Sequence, residues 1–391
     1  MTAIDQSEGA LSERFETLRE SEFPWTAETT YLNNASIGPL PETTRRRTDA
    51  FTAKRATPHL LPDTDLQQIL WDARGAAARL INASVSEIGL ATNTSHGVNL
   101  AARALPLRKG DIVLVPDKEF PANVYPWLRL RDQGVQVEFV PPTETGWPDE
   151  TRLLERLRDP KVRVLAISMV QFSNGYRADL LSLGHACRES DVFFVVDAIQ
   201  GLGQCPLDVQ ATPVDIVACG GQKWLLSPWG SGFVYVRAEL VHALEPVVAG
   251  WMAFEGTDDF TQLTDYNPSF HPDGRRFEMV TLPFQDFLGM TESVSILMEL
   301  GVESIASYLR LLRQPIFRLA ESGALRIASP TSPECDSAIT CVEPNRLSAT
   351  LDRLERANVV CSVREGAIRL SPHCYNTLAE MDRVAGILAG D

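Results

Sequence analysis

A lysine and an aspartate stand where their side chains could take part in catalysis. Lys223 lies in the segment GGQKWLLSPWGSG beside Trp224 and Leu225, and apolar surroundings lower the pKa of an amine and make it nucleophilic. A nucleophilic amine is what Schiff-base chemistry requires. Asp197 ends the apolar run VFFVVD, and a buried carboxylate there needs a cationic or protonated partner, such as a protonated pyridine nitrogen. Taken singly, a loop lysine is usually a solvated charge, and the aspartate could equally cap a helix.

Two further segments could bind parts of a planar, phosphorylated ligand. Thr94, Ser95, His96 and a glycine follow the candidate strand IGLATN and open a predicted helix, and hydroxyls and free backbone N–H groups at a helix N-terminus suit a phosphate. Phe120, in KEFPANVYPW, follows another strand and could stack on a ring. Each has a simpler explanation alone, namely a helix cap and a core phenylalanine.

The combination of the four parts is more specific than any one of them. A phosphate site, an aromatic ring, a buried aspartate and a lysine occur in that order, each just beyond a predicted strand. Carbanion chemistry on pyridoxal phosphate needs an anchor, a stacking face, a partner for the electron-accepting ring nitrogen and a covalent attachment point. The sequence therefore predicts pyridoxal 5′-phosphate as cofactor, with Lys223 forming its Schiff base and Asp197 holding the pyridine nitrogen.

The elements that must position these residues form an alternating pattern. The predicted strands are mostly continuously apolar, as in strands buried on both faces of a parallel sheet, and the segments 121–133, 149–158 and 178–190 are long enough for crossover helices. This pattern indicates a three-layer α/β domain, followed by a smaller α+β domain at the C-terminus. The predicted strands are 111–116, 135–140, 162–170, 192–198, 214–220 and 232–236. The predicted organisation is an N-terminal arm at 1–30, a cofactor-binding domain at 31–260, and an interface loop with the small domain at 261–391.

Composition limits the class of protein. The chain has 391 residues and a net charge of −15, which argues against nucleic-acid or anionic-membrane partners because both need a basic face. It shows no signal-peptide pattern and no apolar run approaching the roughly 18–20 residues of a membrane span. Seven scattered cysteines without a CxxC pair indicate reduced thiols in a cytoplasmic protein, and no residues show metal-ligand spacing.

Nearly the whole chain, from YLNNASIGPLP to IRLSPHCYNT, resembles the class V aminotransferase-like, fold-type I pyridoxal-phosphate enzymes. The most specific segment is VVDAIQGLGQCPLDVQATPVDIVACGGQKWLLSPWGSGFVYV. This group includes cysteine desulfurases, kynureninases and isopenicillin N epimerase-like proteins. The fold implied is a large domain with a mainly parallel sheet and a smaller C-terminal domain.

The resemblance implies roles by position. It assigns the ring's 3-hydroxyl to Gln200 and gives Thr281 and Trp251 contacts to the neighbouring subunit's site, which implies a homodimer with shared active sites. Arg369 matches the arginine that binds the substrate α-carboxylate, a role that its planar fork suits. The implied cofactor contacts are Ser95, His96, Phe120, Asp197, Gln200, Gln222, Lys223, Trp251 and Thr281, and Asn34, Ala35 and Arg369 line the substrate side.

Departures from the family pattern narrow the expected chemistry. Desulfurases usually stack a histidine where this chain has Phe120, and they carry a catalytic cysteine on a loop that is essentially missing before Arg369. Cys361 lies inside a predicted strand, and Cys374 follows the arginine, so the chain is expected to be nearer to epimerase-like and kynureninase-like members.

The expected activity is aminotransferase-type chemistry at the α-carbon of an amino acid. The alternatives are carbon–sulfur or β-elimination, epimerisation, and, from another class, a catalytically inactive binding protein that keeps the fold.

Overall fold

The computed structural model describes residues 3–390. Within that range the chain folds into helices and strands joined by loops and short 3-10 turns. The helices are α1 (Ala3–Glu22), α2 (Glu42–Arg55), α3 (Asp63–Leu80), α4 (Thr94–Ala104), α5 (Tyr125–Leu128), α6 (Glu150–Arg156), α7 (Leu180–Glu189), α8 (Ala238–Ala243), α9 (Phe284–Leu300), α10 (Val302–Glu321), α11 (Leu347–Arg356) and α12 (Leu378–Ala389). The strands are β1 (Thr30–Tyr31), β2 (Ile88–Leu90), β3 (Ile112–Pro116), β4 (Gln136–Val140), β5 (Val162–Ser168), β6 (Phe193–Asp197), β7 (Ile216–Gly220), β8 (Gly232–Val236), β9 (Arg326–Ile327), β10 (Thr340–Glu343), β11 (Val359–Val360), β12 (Ser362–Arg364) and β13 (Ala367–Leu370).

A seven-stranded sheet forms the centre of the large domain. Its strand order is β2-β8-β7-β6-β5-β3-β4, and β8 runs against both of its neighbours while the others point the same way. Alternate strand residues enter two separate apolar clusters: Leu114 and Val196 pack on one face, whereas Val113 and Val195 pack on the other. Helices cover both faces, which explains the continuously apolar strands and confirms the predicted three-layer, mainly parallel α/β fold.

The six strands predicted from apolar runs are all present, with ends displaced by at most two residues. The prediction of a crossover helix at 121–133 is wrong. This segment contains only α5, flanked by 3-10 turns at Pro121–Asn123 and Arg129–Gln133. Pro121 and Pro126 account for this, because a proline removes a backbone donor and favours the first turn of a new helical segment.

The smaller domain contains a four-stranded antiparallel sheet in the order β12-β13-β10-β9, with α10, α11 and α12 nearby. The N-terminal arm joins it, because β1 pairs in parallel with β11 and α1 contacts α10. Cys361 was expected inside a strand, and this is wrong. It lies in the break between β11 and β12, half-buried against the core. The division at residue 260 stays a prediction, and α9, beyond it, packs on α2 and α3.

The segment between α8 and α9 is irregular, with only two 3-10 turns at Trp251–Ala253 and Gly274–Phe277. Glu278 anchors its end through a buried ion pair with Arg74 of α3, in which Arg74 Nε lies 2.7 Å from Glu278 Oε1. The same Oε1 accepts the Leu90 backbone N–H of β2 at 2.9 Å. Among the helices of residues 3–390, none is long and apolar enough to cross a membrane.

Candidate active site

The carboxyl ends of β2, β3, β6 and β7 meet at one edge of the sheet, where the crevice of an open α/β sheet binds ligands. Lys223 follows β7 there and is covered by the loop after β1. Gly38 of that loop donates its N–H to Gln222 O at 2.9 Å. A Cβ on Gly38 would lie only 2.1 Å from Lys223 O, so the close approach requires glycine at this position.

The surroundings of Lys223 shift its side chain towards the neutral amine. Its pKa is lowered to about 8, mainly by burial; the charge of Asp197 opposes this shift, and the charges of Arg369 and Arg364 contribute to it. Its Nζ lies 5.5 Å from the centre of the Phe120 ring. A neutral amine beside an aromatic face is the form that attacks a carbonyl carbon or takes up a proton.

Asp197 ends β6 and is 2% exposed. Its Oδ1 accepts the Ile199 N–H at 3.0 Å, and none of the ion pairs among residues 3–390 includes it. Its pKa is raised to about 7, mainly by burial and also by the charge of Glu119. The hydrogen bond from Ile199 and the charge of Lys223 act in the opposite direction. A buried carboxylate without a basic side chain at bonding distance fits a ligand that brings its own protonated nitrogen.

The N-terminus of α4 lies beside the end of β7. Asn93 caps the helix by accepting the His96 N–H at 3.0 Å, so the simpler explanation of a Thr or Ser cap is wrong. Thr94 Oγ1 accepts the Gly220 N–H at 2.9 Å and ties the helix to the strand. Ser95 is exposed on the first turn, where helix N–H groups favour an anion.

His96 points partly inward, and burial lowers its pKa against a hydrogen bond with the Phe277 backbone. Gln222 folds its amide over Gly220, where a Cβ would come within 2.6 Å of Gln222 Oε1. The phosphate contacts assigned to Ser95, His96 and Gln222 stay predictions, and the geometry brings all three to the edge of the sheet that carries Lys223.

Gln200 and Ala35 are in direct contact. Gln200 Nε2 donates to Ala35 O at 3.0 Å, and its Oε1 accepts from Trp224 Nε1 at 2.7 Å, so the oxygen is engaged and one amide hydrogen is left for a ligand. Asn34 is fully buried, with its Oδ1 bound by the Tyr375 hydroxyl at 2.9 Å. Its Nδ2 has no hydrogen-bond partner among the described residues, so a donor is left unsatisfied at the substrate side.

Arg369 lies on β13 and is 1% exposed, yet its acceptors are all neutral. It donates to Phe172 O at 2.9 Å and to the Ser36 hydroxyl at 2.7 Å. Burial and the charge of Arg364 lower its pKa to about 10. A buried guanidinium without a carboxylate is costly, and an incoming carboxylate would remove that cost.

Glu119 was missed by sequence reasoning. It precedes Phe120, is 6% exposed, and accepts the Ser168 N–H and the Gln171 amide, each at 2.7 Å, as well as the Ser168 hydroxyl. Ser168 is paired with Asp197 in the register of β5 and β6. Because Glu119 bonds to Ser168, its carboxylate lies close to that of Asp197. Burial raises the pKa of Glu119.

Trp251 and Thr281 lie on the surface. Trp251 is 43% exposed and packs at 5.7 Å on Phe260, and Thr281 is exposed before α9. No described contact joins either residue to Lys223 within the chain. Their proposed action across subunits stays a prediction. The residues described contain no group of histidine, cysteine and carboxylate side chains able to hold a metal ion.

Comparison with known proteins places this arrangement in a family. A family model described as class V aminotransferase matches residues 30–384, which include every residue discussed above. The chain belongs to the class V aminotransferase family.

Relatives in this family carry different names. A probable cysteine desulfurase of Methanothermobacter thermautotrophicus is 29% identical, over 90% of this chain and 92% of its own. The isopenicillin N epimerase of Streptomyces clavuligerus is 30% identical, over 91% and 93%. The solved structure of a cystine C–S lyase shares the fold with a TM-score of 0.84, at 21% identity over 94% of this chain and 99% of that one. The sequence relatives of this chain are thus named for desulfurase and epimerase activities.

Proposed function

We propose that the protein is a pyridoxal-phosphate enzyme that acts at the α-carbon of an amino acid, with transamination as the leading reaction. The observation that carries this proposal is that Lys223, Asp197 and Arg369 lie around one crevice. Lys223 is an amine with a lowered pKa, Asp197 is a buried carboxylate without a basic partner, and Arg369 is a buried guanidinium without an anion. Each lacks what a cofactor or an amino acid would bring.

The cofactor is pyridoxal 5′-phosphate. When bound, it accepts the electron pair left on the substrate's α-carbon after a bond there is broken. Asp197 would keep the ring nitrogen protonated, Phe120 would cover a ring face, and Ser95 with the α4 N-terminus would hold the phosphate. Lys223 would hold the cofactor covalently, and its free amine would carry a proton to and from the substrate's α-carbon. Arg369 orients the substrate through its carboxylate.

Elimination across the carbon–sulfur or another β-bond is the second candidate, favoured by the names of the relatives. Formation of a persulfide on the enzyme is disfavoured because it needs an exposed thiolate. Cys374 is fully buried and burial raises its pKa, while burial raises the pKa of half-buried Cys361 to about 11. Replacing either cysteine by alanine should leave activity intact.

Epimerisation is the third candidate, because one relative is named isopenicillin N epimerase. A two-base reaction of this kind needs a second proton carrier on the face of the α-carbon opposite Lys223.

A half-reaction screen tests the proposal. The purified protein should bind pyridoxal phosphate with a visible absorption band, and borohydride should fix the cofactor to the peptide that carries Lys223. Amino acids that react should convert the cofactor to its pyridoxamine form and release a keto acid, whereas elimination would release pyruvate with ammonia or sulfide. Lys223→Ala should lose turnover by several orders of magnitude, whereas the exposed control Lys161→Ala should not. A protein that does not bind the cofactor would refute the proposal.

A further inference from the structure

Two guanidinium groups of the small domain converge on one hydroxyl. Nη2 of Arg369 lies 2.7 Å from Ser36 Oγ, and Nη2 of Arg364 lies 3.3 Å from the same oxygen. Ser36 Oγ in turn donates to Asn33 Oδ1 at 2.7 Å. Arg364 ends β12 and Arg369 lies on the neighbouring β13, so the antiparallel pairing holds the two charges together.

Neither guanidinium has a carboxylate partner among the described residues. The other acceptor of Arg364 is its own neighbour's carbonyl, Val363 O at 2.7 Å, and Arg369 bonds Phe172 O and the Ser362 hydroxyl. Two like charges thus share a neutral oxygen in a half-buried to buried setting, an arrangement that is unfavourable without an anion.

Other buried arginines of this chain are arranged differently. Arg74 pairs with Glu278, and Arg313 pairs with Asp336. The fold therefore supplies carboxylates where an arginine only supports structure. At Ser36 it supplies none, which indicates that the anion comes from outside the chain.

Both charges act on the site of the reaction. Burial is the main cause of the lowered pKa of Lys223, and the charges of Arg369 and Arg364 act in the same direction. The α-carboxylate that the proposed function assigns to Arg369 neutralises only one of the two positive charges. A second anion is needed to neutralise Arg364.

We infer that Arg364 binds a second anionic group at the end of the substrate's side chain, so that the enzyme prefers an acidic amino acid, one with a side-chain carboxylate or a similar oxyacid group. The inference rests on the proposed function in one respect, namely that Arg369 takes the α-carboxylate. Arg364 is then the residue that sets specificity, since its fork matches a carboxylate in a bidentate contact.

The test uses the holoenzyme and the absorption band of its bound cofactor. Titration with L-aspartate, L-glutamate, L-2-aminoadipate and L-cysteine sulfinate is compared with L-asparagine, L-glutamine and L-alanine. At least one acid should bind about 10- to 100-fold more tightly than its neutral counterpart, as expected for a charge-assisted contact. Comparison among the four acidic amino acids also distinguishes a carboxylate from a sulfinate and shows which length of substrate side chain binds most tightly.

Variants of Arg364 decide the assignment. Arg364→Gln should reduce the preference for the acid to about twofold or less, because it weakens binding of the acid more than binding of the neutral amino acid, and Arg364→Lys should restore part of the preference. The same substitution at the exposed Arg55, at the end of α2, should change nothing. Thermal unfolding of each variant confirms that it is folded.

A second measurement does not depend on the reaction. Calorimetric titration of the holoenzyme with glutarate or succinate, against butyrate, should show a preference for the dicarboxylate that Arg364→Gln removes. Equal weakening of glutarate and butyrate would overturn the inference, because both arginines would then serve one carboxylate. If the dicarboxylate preference holds but no amino acid alters the cofactor band, the proposed reaction is wrong and the anion site stands.

Discussion

Asp197 disfavours folding of the cofactor-free protein at neutral pH. Burial raises its pKa from 3.8 to about 7. The folded state therefore binds this proton more tightly than the unfolded state, and the contribution to stability is present at low pH and is lost as pH rises from about 4 towards 7. A protonated ring nitrogen from the cofactor would remove that penalty.

Asp197→Asn should therefore make the cofactor-free protein more stable at pH 8 while it abolishes cofactor-dependent activity. The amide oxygen can still accept the Ile199 N–H, and no charge is buried. The melting temperature of the cofactor-free protein should rise on the order of 1–3 °C at pH 8 and by less at pH 5. Asp191→Asn, whose side chain is 91% exposed in the native protein, is the control. A lower melting temperature for Asp197→Asn at pH 8 would contradict this account.

The positions of single residues could be predicted from sequence where a strand ends. Lys223 and Asp197 were singled out because each follows an apolar run and because parallel strands bring those ends together, and their roles in the chemistry stay predictions. Glu119 and Arg364 were missed because each lies in a polar stretch that is typical of solvated charge. Glu119 becomes buried only when β3 pairs with β5, and Arg364 comes close to Arg369 only when β12 pairs with β13.

At the scale of elements, the pair between Arg74 and Glu278 joins α3 to the end of the irregular segment. Glu278→Ala should destabilise the protein by about 3–5 kcal/mol, because it leaves a buried guanidinium unpaired and an N–H of β2 without its acceptor. Replacing both residues, as in Arg74→Met with Glu278→Leu, should recover part of the loss, as double replacement often does at buried pairs. Denaturant unfolding measures these changes.

The exposed pair of Lys54 and Asp65 provides the contrast for that experiment. Its side chains are 44% and 48% exposed, so Asp65→Ala should cost well under about 1 kcal/mol. If Asp65→Ala were as damaging as Glu278→Ala, burial would not be the source of the effect.

Elements were predicted well where one physical signal dominated. Apolar runs predicted six strands of the large sheet, and burial on both faces leaves few other interpretations for most of them. The edge strand β4 is the exception, since it is only partly buried. Length alone was a poor guide at 121–133, where Pro121 and Pro126 divide the segment into short turns. Near Cys361, the predicted strand is divided into β11 and β12 because the first pairs with β1 and the second with β13, so that the cysteine lies between two sheets.

At the scale of the whole molecule, several large aromatic side chains are exposed, and we expect some of them to lie at a subunit interface. Tyr266 is 86% exposed, Trp229 70% and Tyr125 68%, and Trp251 and Thr281 lie on the surface as well. Large exposed rings are typical of interaction surfaces. A homodimer with shared sites remains our prediction, and light scattering would measure it.

Mixing two inactive variants tests shared sites directly. Lys223→Ala removes the lysine from its own site, and Thr281→Ala should weaken cofactor binding in the neighbour's site. After subunit exchange, half of the dimers carry both changes in one site and none in the other, so about a quarter of wild-type activity should return. Activity that stays at the level of the separate variants would indicate that Thr281 acts within its own subunit, and a fully active monomer would exclude sharing altogether.

The pairing of β1 with β11, and of Asn33 with Ser371, determines when the site can form during synthesis. The loop that covers Lys223 emerges from the ribosome before its partners, which follow much later in the chain. The lysine can therefore be enclosed only after β11 and Ser371 have been synthesised. A nascent chain stalled before residue 359 would contain Lys223 and Asp197 but would lack the strand that holds the loop over them. Loading with cofactor should then wait for that strand, and deletion of β11 should be as damaging as loss of the lysine itself.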